Sequence, residues 1–243
     1  MTPSTLPRPP HRLHAAIIMD GNGRWALDRG LPRAAGHRAG VEAVRRVVEA
    51  APALGIGTLT LYAFSSANWG RPAGEVGELL GLLRKYLCSQ TTQCVAHGVR
   101  LGVIGRRDRL PAALRSAIAA AETATAGGVT LHLRLALDYS ARESIVRAAR
   151  QAGRAGTLTA AAFERLLAEA EGGAGPTPPV DLLVRSGGER RLSDFLLWES
   201  AYAELVFTPT MWPEFGAADL EAAVQEFRGR ERRFGGLPNR AAS

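Results

Sequence analysis

Between His14 and Trp25 an apolar run, Ala15-Ala16-Ile17-Ile18-Met19, ends in a carboxylate, and the chain continues Asp20-Gly21-Asn22-Gly23-Arg24. A short apolar run closed by a turn signal reads as a buried strand. Asp-Gly-Asn-Gly cannot extend it, because glycine populates positive φ and serves tight turns. Gly23 to Leu27 can open a helix. Asp20 then stands at the C-terminal end of a strand, where open α/β sheets bind ligands. Glycines at a helix N-terminus let an anion approach the backbone amides, and an adjacent carboxylate can hold a divalent cation that neutralises phosphate oxygens. Asp-Gly and Asn-Gly are equally common hairpin turns. This stretch leaves both a hairpin and a phosphate site open, and the rest of the chain decides between them.

The remaining elements alternate. Strands are expected at Thr58 to Phe64, Val99 to Ile104, Leu131 to Leu137 and Asp181 to Val184, each alternating or rich in β-branched and aromatic residues. Helices are expected from about Arg38, after a basic loop Leu31 to Arg38, and then at Gly74 to His97, Pro111 to Thr123, Arg142 to Gln151, Thr159 to Ala170 and Ala217 to Arg230. Val76, Leu79, Leu80, Leu83 and Leu87 form a stripe at helical spacing, with Leu82 off it. Alternating strands and helices imply an α/β fold: one domain, a mostly parallel central sheet of about six strands, covered by helices. The domain is expected over residues 14–236, after a disordered segment 1–13 and before a flexible tail 237–243.

The net charge of +7 favours anionic partners. Of 30 basic residues only Lys85 is a lysine, a bias that codon usage alone can produce, although arginine suits bidentate phosphate contacts better. Cys88 and Cys94 share one helical stretch without metal-ligand company. The polar, Pro-rich Met1 to Pro10 is not a signal peptide, and no apolar run reaches transmembrane length. A cytoplasmic protein is expected. No Walker sequence precedes Lys85, no G-x-G-x-x-G follows a strand, and no G-x-S-x-G elbow occurs.

Cationic groups follow the strands. Arg24, Arg33 and His37 follow the first, and Arg185, Arg190 and Arg191 follow Asp181 to Val184. In a parallel sheet these strand ends share one edge, so both groups should converge on one cleft. That arrangement suits two phosphate-bearing ligands or one long polyanion, whereas a lone group would be a solvated surface. Arg232 and Arg233 close the chain. Glu204 lies in the otherwise apolar Ala201 to Phe207, where an unpaired carboxylate is costly and must meet an arginine, a metal or the surface.

His14 to Trp25, Leu61 to Trp69, Arg185-Ser186-Gly187-Gly188-Glu189, Phe195 to Trp198, Ala201 to Leu205 and Arg232-Arg233-Phe234-Gly235 resemble, in order and spacing, the signature segments of the cis-prenyltransferases, and most of all the bacterial undecaprenyl diphosphate synthases. The resemblance covers His14 to Gly236. It implies that isopentenyl diphosphate is condensed onto an allylic diphosphate, typically farnesyl diphosphate. It also implies Mg²⁺, a homodimer, peripheral membrane contact for product release, and no nucleic acid. The implied product is a cis-polyprenyl diphosphate, the precursor of the cell-wall lipid carrier. Alternatives are a short- or medium-chain synthase and a non-catalytic anion-binding scaffold.

Carried over by position, Asp20 matches the family's Mg²⁺ and diphosphate aspartate. Gly21, Asn22, Gly23, Arg24, Trp25, Arg33 and His37 match the allylic diphosphate site. Phe64, Ser65, Asn68, Trp69 and Arg71 match a loop over the reacting carbons, with Asn68 and Arg71 in catalytic positions. Arg185, Arg191 and Ser193 match the isopentenyl diphosphate site. Glu204 matches a metal-site carboxylate that reaches the neighbouring subunit, and Arg233 and Gly235 belong to a C-terminal diphosphate motif. An apolar tunnel for the growing chain is expected between the helix around Val76 to Leu87 and the strand Leu131 to Leu137. Two segments depart from the family pattern: Ala67 stands where Glu is usual, and Asp138-Tyr139-Ser140-Ala141-Arg142 where Asn-Tyr-Gly-Gly-Arg is usual.

Overall fold

The computed structural model describes residues 12–153, 158–173 and 177–230. Strands β1 (Leu13–Ile18), β2 (Ile56–Ser65), β3 (Val99–Ile104), β4 (Leu131–Tyr139), β5 (Leu182–Arg185) and β6 (Glu204–Phe207) form one sheet in the order β3-β4-β2-β1-β5-β6. Every neighbouring pair is parallel. Helices α1 (Asn22–Leu27), α2 (Arg33–Ala50), α3 (Ala73–Ala96), α4 (Ala112–Ala124), α5 (Ala141–Ala152), α6 (Ala160–Ala170) and α7 (Ala217–Gly229) complete the domain. The parallel sheet rules out a hairpin at Asp20-Gly21-Asn22-Gly23. β1 begins at Leu13, within the segment expected to precede the fold. The tail at 237–243, together with Arg232, Arg233 and Gly235, lies outside the described residues.

One face of the sheet carries Ala15, Ile17, Leu59, Leu61, Leu133 and Leu135 against α2, α3, α4 and α7. The other carries Ala16, Ile18, Ala136 and Leu183 against Tyr139, Phe195 and Leu196. Both faces of β4 are therefore buried, as βα crossovers require, even though its sequence alternates between leucine and polar residues. The sixth strand comes from the apolar run around Glu204.

Helix α2 starts at Arg33, not near Arg38. Pro32, with φ −66 and ψ 148, is extended and precedes the first turn. Gly36 and Gly40 sit inside the helix rather than in a loop. A Cβ on Gly36 would lie 1.9 Å from the Asn22 carbonyl oxygen, and one on Gly40 would lie 2.2 Å from Asn22 Oδ1. Close approach of α1 to α2 selects glycine at both positions and overrides its cost in a helix, about 1 kcal/mol each.

Candidate active site

Ile18 pairs with Arg185, so β1 and β5 end level at the C-terminal edge of the sheet. Asp20 projects just beyond. Its Oδ1 accepts the Gly21 N–H at 2.6 Å, its Oδ2 accepts Arg185 Nη2 at 2.9 Å, and Arg24 Nη2 lies 3.2 Å from Oδ1. Partial burial alone would raise the Asp20 pKa. The bonds from Arg185 and Gly21, with the charges of Arg185 and Arg24, outweigh it and hold the carboxyl below its ordinary value. Ser186 Oγ accepts from Asp20 N at 2.9 Å and donates to its carbonyl at 2.8 Å. Gly187 (φ 81) closes this joint: a Cβ there would come within 2.8 Å of Arg24 and 3.0 Å of the Asp20 backbone. The buried Arg185 also donates to Ser193 Oγ at 2.7 Å and to the Arg191 carbonyl.

A second cluster surrounds Glu75, in the first turn of α3. Its carboxylate bonds Arg71 Nη1 at 2.8 Å and lies 3.8 Å from Arg33 Nε and 3.7 Å from His37 Nε2. Gly23 makes room for Arg33, since a Cβ would meet the guanidinium at 2.9 Å. Burial and the Arg71 charge hold His37 below its ordinary pKa despite Glu75, so the ring is neutral near pH 7. No sequence pattern marks Glu75: Arg71 precedes α3 in extended backbone (ψ 163), so no helical register joins the pair.

Between α2, α3 and the sheet lies a cavity of about 100 Å³, walled by Val41, Val44, Leu79, Leu82, Leu83 and Tyr86. Asn22 and His37 line it as well, and Asn22 Oδ1 and His37 Nε2 are buried without hydrogen-bond partners. The hollow is therefore polar at the end next to the cationic clusters and apolar elsewhere. The expected wall from α3 is present, including the off-stripe Leu82. The leucine strand contributes only Leu135, and α2 supplies the opposite wall. Tyr86 also lines a second cavity of about 310 Å³, bordered by Val48, Pro52, Cys94 and Val99, near the start of β3.

Over residues 18–235 the sequence matches the family model described as putative undecaprenyl diphosphate synthase. The chain belongs to this family. It is 62% identical over 226 residues to isoprenyl transferase 1 of Bradyrhizobium diazoefficiens, covering 93% of this chain and 90% of the relative. It is 49% identical over 233 residues to isoprenyl transferase of Brucella abortus, covering 95% and 92%. Among solved structures it resembles lavandulyl diphosphate synthase from Lavandula x intermedia in complex with dimethylallyl diphosphate, with TM-score 0.86, 36% identity, and 91% and 97% of the two chains covered. It also resembles a probable undecaprenyl diphosphate synthase from Campylobacter jejuni, with TM-score 0.75, 33% identity and the same coverage.

Not every residue that matches the cis-prenyltransferase pattern gathers at this edge. The Trp25 indole N–H donates to Glu214 at 3.1 Å and Arg29 stacks 4.5 Å from the ring centroid, so its contacts are to Glu214 and Arg29 rather than to Asp20 or Arg185. Phe64 is 1% exposed and packs edge-on against Trp69 with centroids 5.3 Å apart, so it supports the loop rather than lining a cleft. The Arg191 side chain is exposed and pairs with Glu189. In the loop, the Ser65 N–H donates to Asn68 Oδ1 at 3.0 Å.

Glu204 pairs with Arg230 at 2.8 Å. Leu182 is in register with both Ala15 and Glu204. Glu204 is thus two strands across from β1 and five residues back from Asp20. That amounts to about 10 Å sideways and about 16 Å along the strands, so the two carboxylates of one chain share no metal. Among the described residues no group of three or more acidic, His or Cys side chains forms a metal cage. An ionised, partly exposed Asp20 still fits Mg²⁺, which is often held by one carboxylate together with substrate phosphates and water.

Proposed function

We propose that this isoprenyl transferase joins isopentenyl diphosphate to an allylic diphosphate, with a new cis double bond, and that the product is a cis-polyprenyl diphosphate serving as precursor of a lipid carrier. The polar-headed hollow carries this reading. His37 sits where the cavity meets the Arg33, Arg71 and Glu75 cluster, and Asn22 lines it as well, so the diphosphate held there is the one whose tail enters the cavity. The Arg185 and Ser193 site does not line that hollow and suits a five-carbon partner.

In the reaction the allylic C–O bond breaks and diphosphate departs with the electron pair. A C–C bond forms to the terminal alkene carbon of isopentenyl diphosphate, and a proton leaves the adjacent carbon. Arg24, Arg33, the Gly21 and Gly23 backbone and neutral His37 bind the departing diphosphate, stabilising charge as it develops. Arg185, held against Asp20 and Ser193, orients the second diphosphate, and Arg191 joins it when its exposed side chain swings inward. Fixing the two carbons in contact supplies much of the remaining rate. Asn68, held by the Ser65 N–H, and Arg71 cover the reacting carbons. Asp20 would hold Mg²⁺, which would supply positive charge against the diphosphates. Glu204, with Arg233 and Gly235, serves a neighbouring subunit's site in a homodimer. Product release involves peripheral contact with a membrane; among the described residues no helix is long and apolar enough to cross one.

The test is incubation with labelled isopentenyl diphosphate, Mg²⁺ and either geranyl or farnesyl diphosphate, followed by chromatography of the products. Chain extension supports the reading, and folded protein that extends neither primer refutes it. A short-chain synthase is the second reading. The hollow of about 100 Å³ is small for a long polyprenyl tail, which favours it. A single C15 or C20 product would establish it.

A further inference from the structure

Asp138, next to the end of β4, has a left-handed backbone (φ 48) and a side chain with no exposed surface. A carboxylate buried this deeply needs compensation. Arg109 bonds both oxygens, Nε to Oδ2 at 2.8 Å and Nη2 to Oδ1. Ser66 Oγ donates to Oδ1 at 3.0 Å. Ser66 is the first residue of the 3₁₀ turn Ser66–Gly70, which carries Asn68 and Trp69. The Arg109 guanidinium also lies over the Trp69 ring, 5.5 Å from its centroid. One carboxylate thus holds the turn at two points, Ser66 directly and Trp69 through Arg109. The two departures from the family pattern meet here: Ala67 is flanked by Ser66, and Ser66 rests on Asp138.

We propose that Asp138 is a positioning residue, fixing the Ser65 to Arg71 loop in its covering position through Ser66 and Arg109. The inference rests on the role given to that loop in the proposed reaction. Asn tolerates the same left-handed backbone, so Asp138→Asn tests charge and hydrogen bonding with little added strain. An amide offers Arg109 one acceptor in place of two and leaves the guanidinium without its counter-charge. Ser66→Ala is the milder second variant, which spares the Asp138–Arg109 pair and cuts only the direct link.

Hydrogen exchange by mass spectrometry is read over residues 65–71 and over the rest of the sheet, alongside steady-state kinetics on the whole protein. Asn is the family's usual residue here, so the loss read in Asp138→Asn is that of the Arg109 counter-charge in this chain: exchange in 65–71 should quicken about tenfold, and kcat should fall about 5- to 10-fold with KM for both diphosphates within about twofold. Ser66→Ala should show the same pattern, weaker. Exchange that quickens evenly across the sheet, or that is unchanged at 65–71 in both variants, would make Asp138 an ordinary structural ion pair and overturn the proposal. A loosened loop with unchanged kcat would overturn the loop's catalytic role and this inference with it. Failure of the wild-type protein to extend any primer would instead refute the proposed reaction.

Discussion

On one face of the sheet Leu59, Leu61, Leu133, Leu135 and Leu137 meet α2, α3 and α4 through apolar contact, and a hollow remains at the centre. On the other face His14, Thr60, Arg134, Tyr139, Glu171 and Glu199 are buried, and most of their polar groups find partners. The His14 ring bridges Thr60 Oγ1 at 2.8 Å and the Pro178 carbonyl at 2.9 Å, and burial with the Arg134 charge lowers its pKa to about 4. Tyr139 donates to Glu171 at 2.7 Å, and Arg134 donates to Thr177 at 2.7 Å while its charge faces both carboxylates. Apolar contact is non-directional and can leave room for a tail of variable length. A buried polar network has few alternative arrangements. The hollow lies on the permissive face, and the demanding face belongs to the same strands, whose ends carry Asp20 and Arg185.

Substitutions can break that division, beginning at the edge the two faces share. Asp20→Ala should lower turnover at least ~10²-fold while leaving the fold intact; near-normal kcat would remove Asp20 from the reaction. On the polar face Arg134→Met takes the cation from between two buried carboxylates. It should cost about 3–5 kcal/mol in a denaturant titration. Leu82→Ala, in the partly exposed wall of the hollow, should stay at or below roughly 2 kcal/mol, the lower limit for buried leucines. The reverse ranking would contradict the contrast between the faces.

The smallest effect is one of pH. Burial, then the Glu199 charge, push Glu171 from 4.5 up to about 7, against the Tyr139 bond and the charges of Arg134 and Arg147. The folded protein therefore keeps a proton that the unfolded chain releases between about pH 4.5 and 7. The resulting stability is complete below pH 4.5 and is lost as pH rises through 7. Glu171→Gln should flatten the fall in thermal midpoint between pH 5 and 8. Equal slopes in variant and wild type would show that Glu171 is not the group responsible.

Much of the apolar face is legible in sequence because its signals are periodic. The stripe on α3, the leucines of β4 and the Thr159 cap, which accepts the Ala162 N–H at 3.2 Å, all lie where local patterning puts them. The polar face is not legible in sequence, for a physical reason. Arg134 and Asp138 alternate with leucines as solvent-facing residues would, and only the helices packed on that side reveal their burial. The residues from Asp20 to Arg33 and from Arg185 to Ser193 stand out because glycine and arginine cluster after strands. Glu75, the α2 wall and the two hollows at Tyr86 depend on contacts across the fold that no local pattern encodes. For the same reason Gly36 reads as a loop residue until α1 is seen against it.

The central claim is that the permissive face receives the growing chain, and the most direct measurement compares the product lengths of the wild type and Tyr86→Ala under identical primer and isopentenyl diphosphate concentrations. Tyr86 lines both the hollow of about 100 Å³ and the one of about 310 Å³. Joining them should shift the product distribution to longer chains, and Tyr86→Phe should leave it unchanged. An identical distribution from Tyr86→Ala would show that the chain does not grow along this face.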